Sequence, residues 1–333
     1  MKTCSRCILP ETFPGIRFDA DGICSHCRKE EASLPSRPSK QAEYRARLDE
    51  LMAATRGQAP SYDAIMAYSG GKDSSYTLKL LKERYDLRIL AFTFDNHFVS
   101  PISVENIKAV VDALGIDHIT VRPPWPLVRS LFLLTAEEDI FPLPTLLRAS
   151  SICTACIGMV KSLALKFALE MSIPLVAFGW SPGQAPIQSA IMKTNPTMTR
   201  QNQKALRSAL PARLSEAMQP YFIPEGHYIS CADRFPQNIH PLAFFDYDEE
   251  HIKSELQTLG WKLPSDTDTN STNCLLNAFA NDCHLRRHRF HPYVWEIANM
   301  VRQGVMTRAE GMEKIYTAQD DSMVSYARQK LGI

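Results

Sequence analysis

The sequence predicts an α/β fold: a doubly wound parallel sheet with an N-terminal zinc ribbon and a C-terminal helical extension. Strand-like and helix-like segments alternate from about residue 62 to residue 179, which is typical of a parallel sheet with crossover helices. Two Cys-x-x-Cys pairs lie within residues 1–30, and the apolar spacing after about residue 200 is mainly helical. The expected domains are a ribbon at 1–30, a connecting helix at 31–60, a sheet domain at 61–200 and a helical extension at 201–333.

Each element is predicted by its own apolar pattern. Short apolar runs predict buried strands at 64–68, 88–94, 119–122 and 175–179. Helical spacing predicts helices between them, at 75–81, 104–114 and 157–171, and outside the sheet domain at 41–54, 201–218, 249–259, 292–302 and 308–315. In such sheets ligands bind beyond the carboxyl ends of the strands. We therefore expect Gly70, Asp95 and Gly179 to meet in one cleft.

The amino-terminal cysteines are spaced as metal ligands. Cys4 and Cys7 form one Cys-x-x-Cys pair, and Cys24 and Cys27 form a second after sixteen intervening residues. Four thiolates in two such pairs suit a tetrahedral zinc ion, which replaces the core that so short a segment cannot build. Because four cysteines leave no open coordination position, we expect this zinc to be structural.

Of all segments of the chain, the run Ser69-Gly70-Gly71-Lys72-Asp73-Ser74 says most about the chemistry that the protein can perform. It lies between a predicted strand and a predicted helix, where backbone N–H groups and a helix N-terminus together bind anions. The two glycines allow close approach of a phosphate, the lysine supplies a positive charge, and the serines, with Ser75, supply hydroxyl donors. The run predicts a phosphate-binding loop.

This run resembles the pyrophosphate loop (PP-loop) of the ATP pyrophosphatase superfamily, Ser-Gly-Gly-x-Asp-Ser, and differs from the Walker loop. The resemblance implies a PP-loop, HUP-like sheet that binds ATP and Mg²⁺. It implies adenylation of a substrate oxygen with release of pyrophosphate, followed by displacement of AMP by nitrogen or sulfur. Lys72 would stabilise the leaving pyrophosphate, and Asp73 would hold Mg²⁺ or orient backbone amides. The expected ATP-binding residues are Ser69, Gly70, Gly71, Lys72, Asp73, Ser74, Ser75, Phe94, Asp95 and Gly179.

Residues 4–27, with the motif Cys-x-Arg-Cys-Ile-Leu-Pro-Glu-Thr at their start, resemble the opening of the N-acetyl sugar amidotransferases. The similarity resumes at the PP-loop, at 92–96, at Cys153-x-x-Cys156 and, weakly, at 297–310, and is poor between about 180 and 290. It implies a transferase that replaces the adenylated oxygen of a small-molecule or sugar-nucleotide acceptor with nitrogen. Since the chain shows no glutaminase domain, the resemblance implies that a separate glutaminase supplies ammonia.

Nitrogen transfer, which the resemblance of residues 4–27 implies, is the first hypothesis, and a second set of cysteines provides the alternative of sulfur transfer. Cys153 and Cys156 precede a predicted helix, where a thiol is expected to be acidified and to lie at the mouth of the cleft, as a catalytic pair. With the distant Cys274, or failing that Cys231, they resemble the ligands of a [4Fe–4S] cluster in PP-loop enzymes that thiolate tRNA. That resemblance implies a sulfurtransferase with a sulfur-donor protein. A regulator that binds ATP without turnover is a third hypothesis, which the intact PP-loop disfavours.

Several polar residues are weaker candidates. We expect His97 to be structural more often than an acid–base group, and Trp180 and Ser181 to frame the adenine or the acceptor. Asp266 and Asp268 either bind acceptor hydroxyls or cap a loop. The densest basic run and its histidines are interpreted as a solvated or anion-binding face rather than a metal site: His284, Arg286, Arg287, His288, Arg289 and His291.

Composition narrows the partners. The net charge of +1 disfavours a large tRNA footprint, although the basic run keeps tRNA open as a partner. No apolar run approaches the length of a membrane span, and no secretory leader is evident, so we expect a cytoplasmic protein without membrane contact. In such a compartment nine cysteines indicate metal binding or catalysis rather than disulfides.

Overall fold

The sheet has six strands in the order β3-β2-β1-β4-β6-β5. The computed structural model describes residues 1–31, 37–268, 270–317 and 321–333. The strands of this sheet are β1 (Ala64–Ala67), β2 (Ile89–Phe94), β3 (Asp117–Val121), β4 (Leu175–Phe178), β5 (Ile191–Lys193) and β6 (Gln237–Ile239). All neighbours pair in parallel except β5, which is antiparallel to β6 at one edge. The predicted α/β sheet is confirmed.

The described residues contain fifteen helices. In chain order they are α1 (Ser25–Glu31), α2 (Arg37–Thr55), α3 (Lys72–Glu83), α4 (Pro101–Leu114), α5 (Trp125–Glu137), α6 (Leu143–Leu146), α7 (Ser151–Glu170), α8 (Pro196–Ala209), α9 (Ala212–Ala217), α10 (His227–Ser230), α11 (Glu249–Gln257), α12 (Asn277–His288), α13 (Val294–Gln303), α14 (Arg308–Tyr316) and α15 (Asp321–Leu331).

Helices cover both faces of the sheet. Alternate residues of β1 point to opposite faces, so Ala64 and Met66 pack with α2, α3, α4 and α11, while Ile65 packs with α5, α7 and α9. All four residues of β4 are buried, as are all six of β2. A strand that is buried on both faces has an uninterrupted apolar sequence, which is why these strands could be predicted from the sequence.

The extension contributes more than helices. β6 belongs to residues 201–333 and pairs with β4, so the sheet crosses the expected boundary at residue 200. β5 and β6 escaped prediction because each has three residues, two of them polar in β6. The helix expected at 201–218 is two helices, since Pro211 interrupts it and begins α9. α5, α12 and α15 were also not predicted. Residues 32–36 of the expected connecting region lie outside the described residues.

The ribbon packs on the extension. Ile8, Leu9 and Phe13 share a buried cluster with Val294 and Ile297 of α13. Arg308, at the start of α14, donates from Nε to the carbonyl oxygen of Cys7 at 2.9 Å. The ribbon and residues 290–315 of the extension therefore share one hydrophobic core.

α7 is apolar enough, and at 20 residues long enough, to cross a membrane by composition alone. In the fold, however, it contacts β1, β4, α5 and α12, and its buried face packs against the sheet. A central core helix has the same composition, so the described fold accounts for it.

Candidate active site

A cavity of about 320 Å³ opens at the carboxyl ends of β1, β2 and β4. Residues from the run 69–74, called the PP-loop below for the resemblance described above, line it together with residues from α7, from 270–277 and from α13. The predicted site residues among them are Ser69, Gly71, Asp73, Ser74, Phe94, Cys153, Cys156, Gly179 and Cys274. Of the three residues expected to meet in one cleft, Gly179 lines this cavity, whereas Gly70 and Asp95 do not.

Close backbone packing shapes the PP-loop. Gly70 has a φ of +74°, and a Cβ there would lie 2.5 Å from the carbonyl oxygen of Ser103, so only glycine fits. The carbonyl oxygen of Gly70 accepts a hydrogen bond from Trp261 Nε1 at 2.9 Å. A Cβ on Gly179 would lie 2.4 Å from Ser74 Cα, so this glycine lets the end of β4 pack against the start of α3.

The N-terminus of α3 faces the segment that carries Cys274. Gly71 is its N-cap residue and offers no side-chain cap. The N–H of Lys72 instead donates to Thr272 Oγ1 at 3.1 Å. The hydroxyls of Ser69 and Ser74 lie 3.0 Å apart beside it. Backbone amides and hydroxyls thus point to one place, as an anion site requires.

Lys72 is expected from the sequence to bind the phosphates of ATP, but its side chain lies outside the cavity. Its side chain is 6 % exposed and does not line the cavity. Its ammonium lies 3.0 Å from Asp73 Oδ1 and 3.3 Å from Glu249 Oε1, and it contacts the hydroxyl of Tyr247. Burial lowers the pKa of Lys72, but the two carboxylates outweigh burial and raise it above its ordinary value. Lys72 is a buried cation between two acidic groups.

Three other predicted ATP ligands do not line the cavity. Gly70 is covered as described above, and Ser75 is fully buried, with its hydroxyl 3.2 Å from that of Tyr68. Asp95 forms an ion pair with Arg122 and accepts a hydrogen bond from the N–H of His97. Asp95, the first residue after β2, turns away from the cavity because the strand ends at Phe94. The residue that follows it, Asn96, faces the cavity instead.

Asn96 connects two of the cavity cysteines. Its Nδ2 donates to the sulfur of Cys156 at 3.5 Å and to that of Cys274 at 3.7 Å. Cys274 arrives there because its segment runs antiparallel to the residues after β2, where Val99 and Cys274 form a bridge. Cys153 lies in the first turn of α7, and its sulfur is 3.9 Å from Asn277 Oδ1. The three cysteines are half-buried and face one cavity.

The expected acidification of the α7 cysteines is wrong. Burial raises the pKa of Cys153 to about 12 and raises those of Cys156 and Cys274 above their ordinary value. Nearby thiols add to this effect for Cys153 and Cys156. Desolvation of the thiolate outweighs the favourable position at a helix N-terminus.

Glu296 of α13 is a cavity residue that sequence reasoning missed. Burial raises its pKa to about 7, although the hydroxyl of Ser181 donates to Oε1 at 2.5 Å. The loop after β4 holds it closely, since a Cβ on Gly183 would lie 2.4 Å from the carbonyl oxygen of Glu296. No local pattern marks this residue, because only the packing of α13 brings it to the sheet.

The weaker candidates mostly have structural roles in the described residues. The imidazole of His97 contacts the carbonyl oxygen of Pro123 and does not line the cavity. The hydroxyl of Ser100 lies within hydrogen-bond distance of both carboxylate oxygens of Asp266. The carboxylate of Asp268 accepts a hydrogen bond from the N–H of Asn270. Trp180 lines the cavity and stacks on His240 at 4.2 Å.

The basic run at the end of α12 is partly neutralised. Arg286 pairs with Asp282 at 2.8 Å, and Arg287 pairs with Asp139 at 2.9 Å. Two of its cations therefore contribute little to an open anion-binding face.

The four ribbon cysteines are fully buried and their sulfurs lie within 4.8 Å of one another. Cys4 and Cys27 are 3.8 Å apart, as are Cys7 and Cys24. Backbone N–H groups donate to the sulfurs, among them that of Cys24 to Cys4 at 3.2 Å. Hydrogen bonds among the four thiols lower the pKa values of Cys4 and Cys24 and raise those of Cys7 and Cys27, so metal binding must displace protons from part of the set. The four sulfurs are arranged to bind one metal ion.

No family model matches this chain. It is 22% identical over 314 residues to the uncharacterized protein MJ1599 of Methanocaldococcus jannaschii, covering 94% of this chain and 92% of that protein. A stretch of 79 residues is 34% identical to argininosuccinate synthase of Psychrobacter arcticus, covering 24% of this chain and 17% of that enzyme. Such a short stretch does not carry the activity of that enzyme to this chain.

Two solved structures also align with the fold. The U34-tRNA thiolase NcsA of Methanococcus maripaludis, solved with its [4Fe–4S] cluster, aligns over 100% of this chain and 99% of its own at a TM-score of 0.35 and 15% identity. The NMN synthetase of Francisella tularensis aligns over 75% of this chain and 94% of its own at a TM-score of 0.30 and 12% identity. At these scores neither likeness supports a functional conclusion.

Proposed function

We propose that this protein is an enzyme of the PP-loop ATP pyrophosphatase type that adenylates an acceptor oxygen and then replaces that oxygen with sulfur. One observation carries the proposal: the PP-loop and three cysteines line the same cavity. Its volume of about 320 Å³ lies at the lower end of the range of small-molecule sites. Activation by ATP and delivery of a second group would therefore occur in one place.

The loop would bind the phosphates of ATP. The N-terminus of α3, where the N–H of Lys72 now donates to Thr272 Oγ1, and the hydroxyls of Ser69 and Ser74 would supply the donors. Asp73, which lines the cavity, is the proposed ligand for Mg²⁺. For Lys72 to reach the leaving pyrophosphate, its ammonium must exchange Asp73 and Glu249 for phosphate oxygens.

The cavity cysteines fit an iron–sulfur cluster better than a single ion. A cluster separates its thiolate ligands more widely than one ion does, and among the described residues only the ribbon sulfurs gather within 4.8 Å. The raised thiol pKa values mean that metal binding must displace protons. With three protein ligands, a [4Fe–4S] cluster keeps one iron position that can carry the sulfur to be transferred. Cys153, Cys156 and Cys274 would hold the cluster, and Asn96 would fix two of their sulfurs.

The ribbon would bind zinc. Tetrahedral coordination with zinc–sulfur bonds of about 2.3 Å places the sulfurs about 3.8 Å apart. The two measured sulfur–sulfur distances are 3.8 Å. The ion would join the ends of the ribbon and take no part in the chemistry.

Nitrogen transfer is the second candidate. It is favoured by the resemblance of residues 4–27 to the N-acetyl sugar amidotransferases and by Glu296, whose carboxyl could accept a proton from an amine nucleophile in the cavity. In that case the acceptor would be a small molecule or a sugar nucleotide, and a separate glutaminase would supply ammonia. In the sulfur case a sulfur-donor protein is the partner, and tRNA remains a candidate acceptor. For both cases we propose a cytoplasmic location.

Anaerobic purification tests the choice between sulfur and nitrogen. We expect brown protein with iron and acid-labile sulfide near four each per chain. Cys156→Ser should remove both and abolish sulfur transfer. Cys231→Ser should keep them, because Cys231, the alternative third ligand, is buried with Tyr228 and Phe235 and does not line the cavity. If the protein is colourless and free of iron but forms pyrophosphate with ammonia, the sulfur-transfer hypothesis is refuted and nitrogen transfer takes its place. ATP binding without pyrophosphate release, across candidate acceptors, would indicate a regulator and refute the enzyme.

A further inference from the structure

Three histidines form a buried cluster at the end of α12, outside the lining of the cavity. His284 and His288 lie one turn apart on this helix, and His291 follows its end. His284 is 3 % exposed and His291 is 7 % exposed. Their burial contradicts the expectation of a solvated or anion-binding face.

Most nitrogens of this cluster lack hydrogen-bond partners. Both ring nitrogens of His284 are buried without a partner, as is Nε2 of His291. Nδ1 of His291 accepts from the N–H of Tyr293 at 3.2 Å, which orients the ring. Nε2 of His288 is also buried and lies 3.2 Å from Asp139 Oδ2, outside hydrogen-bond geometry. An unpaired buried polar atom costs about 1–3 kcal/mol, so several in one place require a partner such as a water molecule or an ion.

The chemistry of these side chains narrows the ligand. The ring centroids of His284 and His288 are 4.4 Å apart. Three imidazoles beside a carboxylate are a donor set for zinc and similar divalent ions.

We propose that His284, His288 and His291, together with Asp139, bind a divalent transition-metal ion such as Zn²⁺. Asp139 has one oxygen for this purpose, because Arg287 contacts its Oδ1 at 2.9 Å and leaves Oδ2 towards His288. Among the described residues only the ribbon cysteines already gather their donor atoms within 4.8 Å. The imidazoles must therefore rotate to meet on one ion, and this site binds more weakly than the ribbon.

The ion would have a structural effect. Asp139 follows α5, whereas the histidines lie at the end of α12, so a shared metal would tie these two segments together. His284 also packs against Phe290, which contacts Phe13 of the ribbon. The site would thus support the surface on which the ribbon rests, and it does not depend on the proposed enzymatic reaction.

Zinc binding to the full-length purified protein tests the site. In equilibrium dialysis against micromolar Zn²⁺, we expect one ion per chain beyond the metal that the protein retains after purification. His284→Ala and His291→Ala should each remove this additional ion, whereas His251→Ala, an exposed histidine on α11, should keep it. Loss of the additional ion in the His251 control, or its absence from wild-type protein, would overturn the proposal.

A second measurement covers variants that fold poorly. Asp139→Asn and His288→Ala change less buried groups and should weaken the additional site at least tenfold while the ribbon ion remains. Co²⁺ provides the readout, because cobalt bound by imidazoles and carboxylate lacks the strong thiolate charge-transfer absorption of cobalt in the ribbon. A second cobalt that shows thiolate absorption, or full affinity in both variants, would refute the histidine site.

Discussion

The protein has two cysteine centres that differ in almost every physical respect. The ribbon cysteines are fully buried, with measured sulfur–sulfur distances of 3.8 Å and backbone N–H donors around them. The cavity cysteines are half-buried, come from α7 and a distant segment, and share the amide of Asn96. A closed, pre-formed ligand set suits a permanent ion, whereas an open set facing a cavity suits a group that must react.

The surroundings of the two centres differ in the same sense. Around the ribbon the backbone groups are paired, and Tyr316 and Arg308 of α14 donate to ribbon carbonyl oxygens. Around the cavity the structure holds groups at a cost: a carboxyl with a raised pKa at Glu296, and glycines in close backbone contact at Gly179 and Gly183. The contacts around the ribbon stabilise the fold, whereas those around the cavity cost stability, as is typical of a functional site of the kind proposed above.

The largest effect should follow from opening the ribbon. Cys24→Ser removes one of four ligands, and because metal binding supplies most of the folding energy of so small a module, the free energy of unfolding should fall by about 5 kcal/mol or more. Thermal unfolding together with zinc content measures this change. The loss should extend to α13 and α14, which share the ribbon core.

Cys231→Ser is the matched control for this variant. It also replaces a buried cysteine, but one that belongs to neither centre. It should keep its zinc and lose far less stability. If Cys24→Ser retained zinc and its melting temperature, the four cysteines would not be the ligands.

A smaller effect, dependent on pH, should appear at Glu296. Its folded pKa is raised to about 7 from 4.5. The folded state therefore keeps a proton that the unfolded state releases between these values, and wild-type stability falls as the pH rises through this window. Glu296→Gln lacks that loss, so its stability relative to wild type should rise by about 3 kcal/mol from pH 4.5 to pH 7. Denaturant unfolding at several pH values measures the difference.

Glu310 supplies a control of opposite sign. Thr307 donates to its carboxylate and lowers its pKa, so its contribution is present above the unfolded pKa and is lost as the pH falls. Glu310→Gln should therefore be less stable than wild type at neutral pH and approach it in acid. Parallel stability curves for Glu296→Gln and wild type would show that the carboxyl of Glu296 carries no such cost.

A substitution at the close contact of Gly179 should change the free energy of unfolding somewhat less than the substitution of Glu296 does. A methyl group there would lie 2.4 Å from Ser74 Cα, and since this neighbour is backbone, β4 and α3 must separate. Gly179→Ala should cost about 2 kcal/mol, in the range of other overpacked sites, and should weaken ATP binding. Calorimetry of unfolding and of ATP binding checks both. Gly158→Ala, a helical position with nothing within 4 Å, should be neutral or slightly stabilising; equal losses in both variants would contradict the argument.

The fold was predictable from sequence where the pattern is local. Buried strands such as Ile89–Phe94 are apolar runs in the sequence. The two Cys-x-x-Cys pairs of the ribbon indicate a metal site by their spacing. Thr272 and Glu296 were missed because each reaches the cavity through long-range packing, which no short pattern encodes. Asn96 was missed for a local reason: the sequence located the end of β2, but it did not show that Asn96 faces the cavity while its neighbour Asp95 faces away.

The smallest expected effect tests whether ATP and the cysteine segment compete for one place. In the structure Thr272 Oγ1 accepts from the N–H of Lys72 at 3.1 Å, at the point where a phosphate would bind. Thr272→Val keeps the shape and removes the acceptor, so without ATP it should lose about 1 kcal/mol, as for a lost helix cap. With saturating ATP the phosphate would accept from this N–H in both proteins, and the difference should close.

Thermal unfolding with and without ATP measures this prediction, and Thr77→Val is its control. The hydroxyl of Thr77 donates to the carbonyl oxygen of Asp73 in the same helix but faces no phosphate, so its loss should be equal with and without ATP. A constant difference in Thr272→Val would show that ATP leaves the contact in place. A difference that closes would mean that ATP displaces Thr272. Because Cys274 is two residues further on, nucleotide binding would then move a sulfur of the cavity centre, a coupling for which the ribbon has no counterpart.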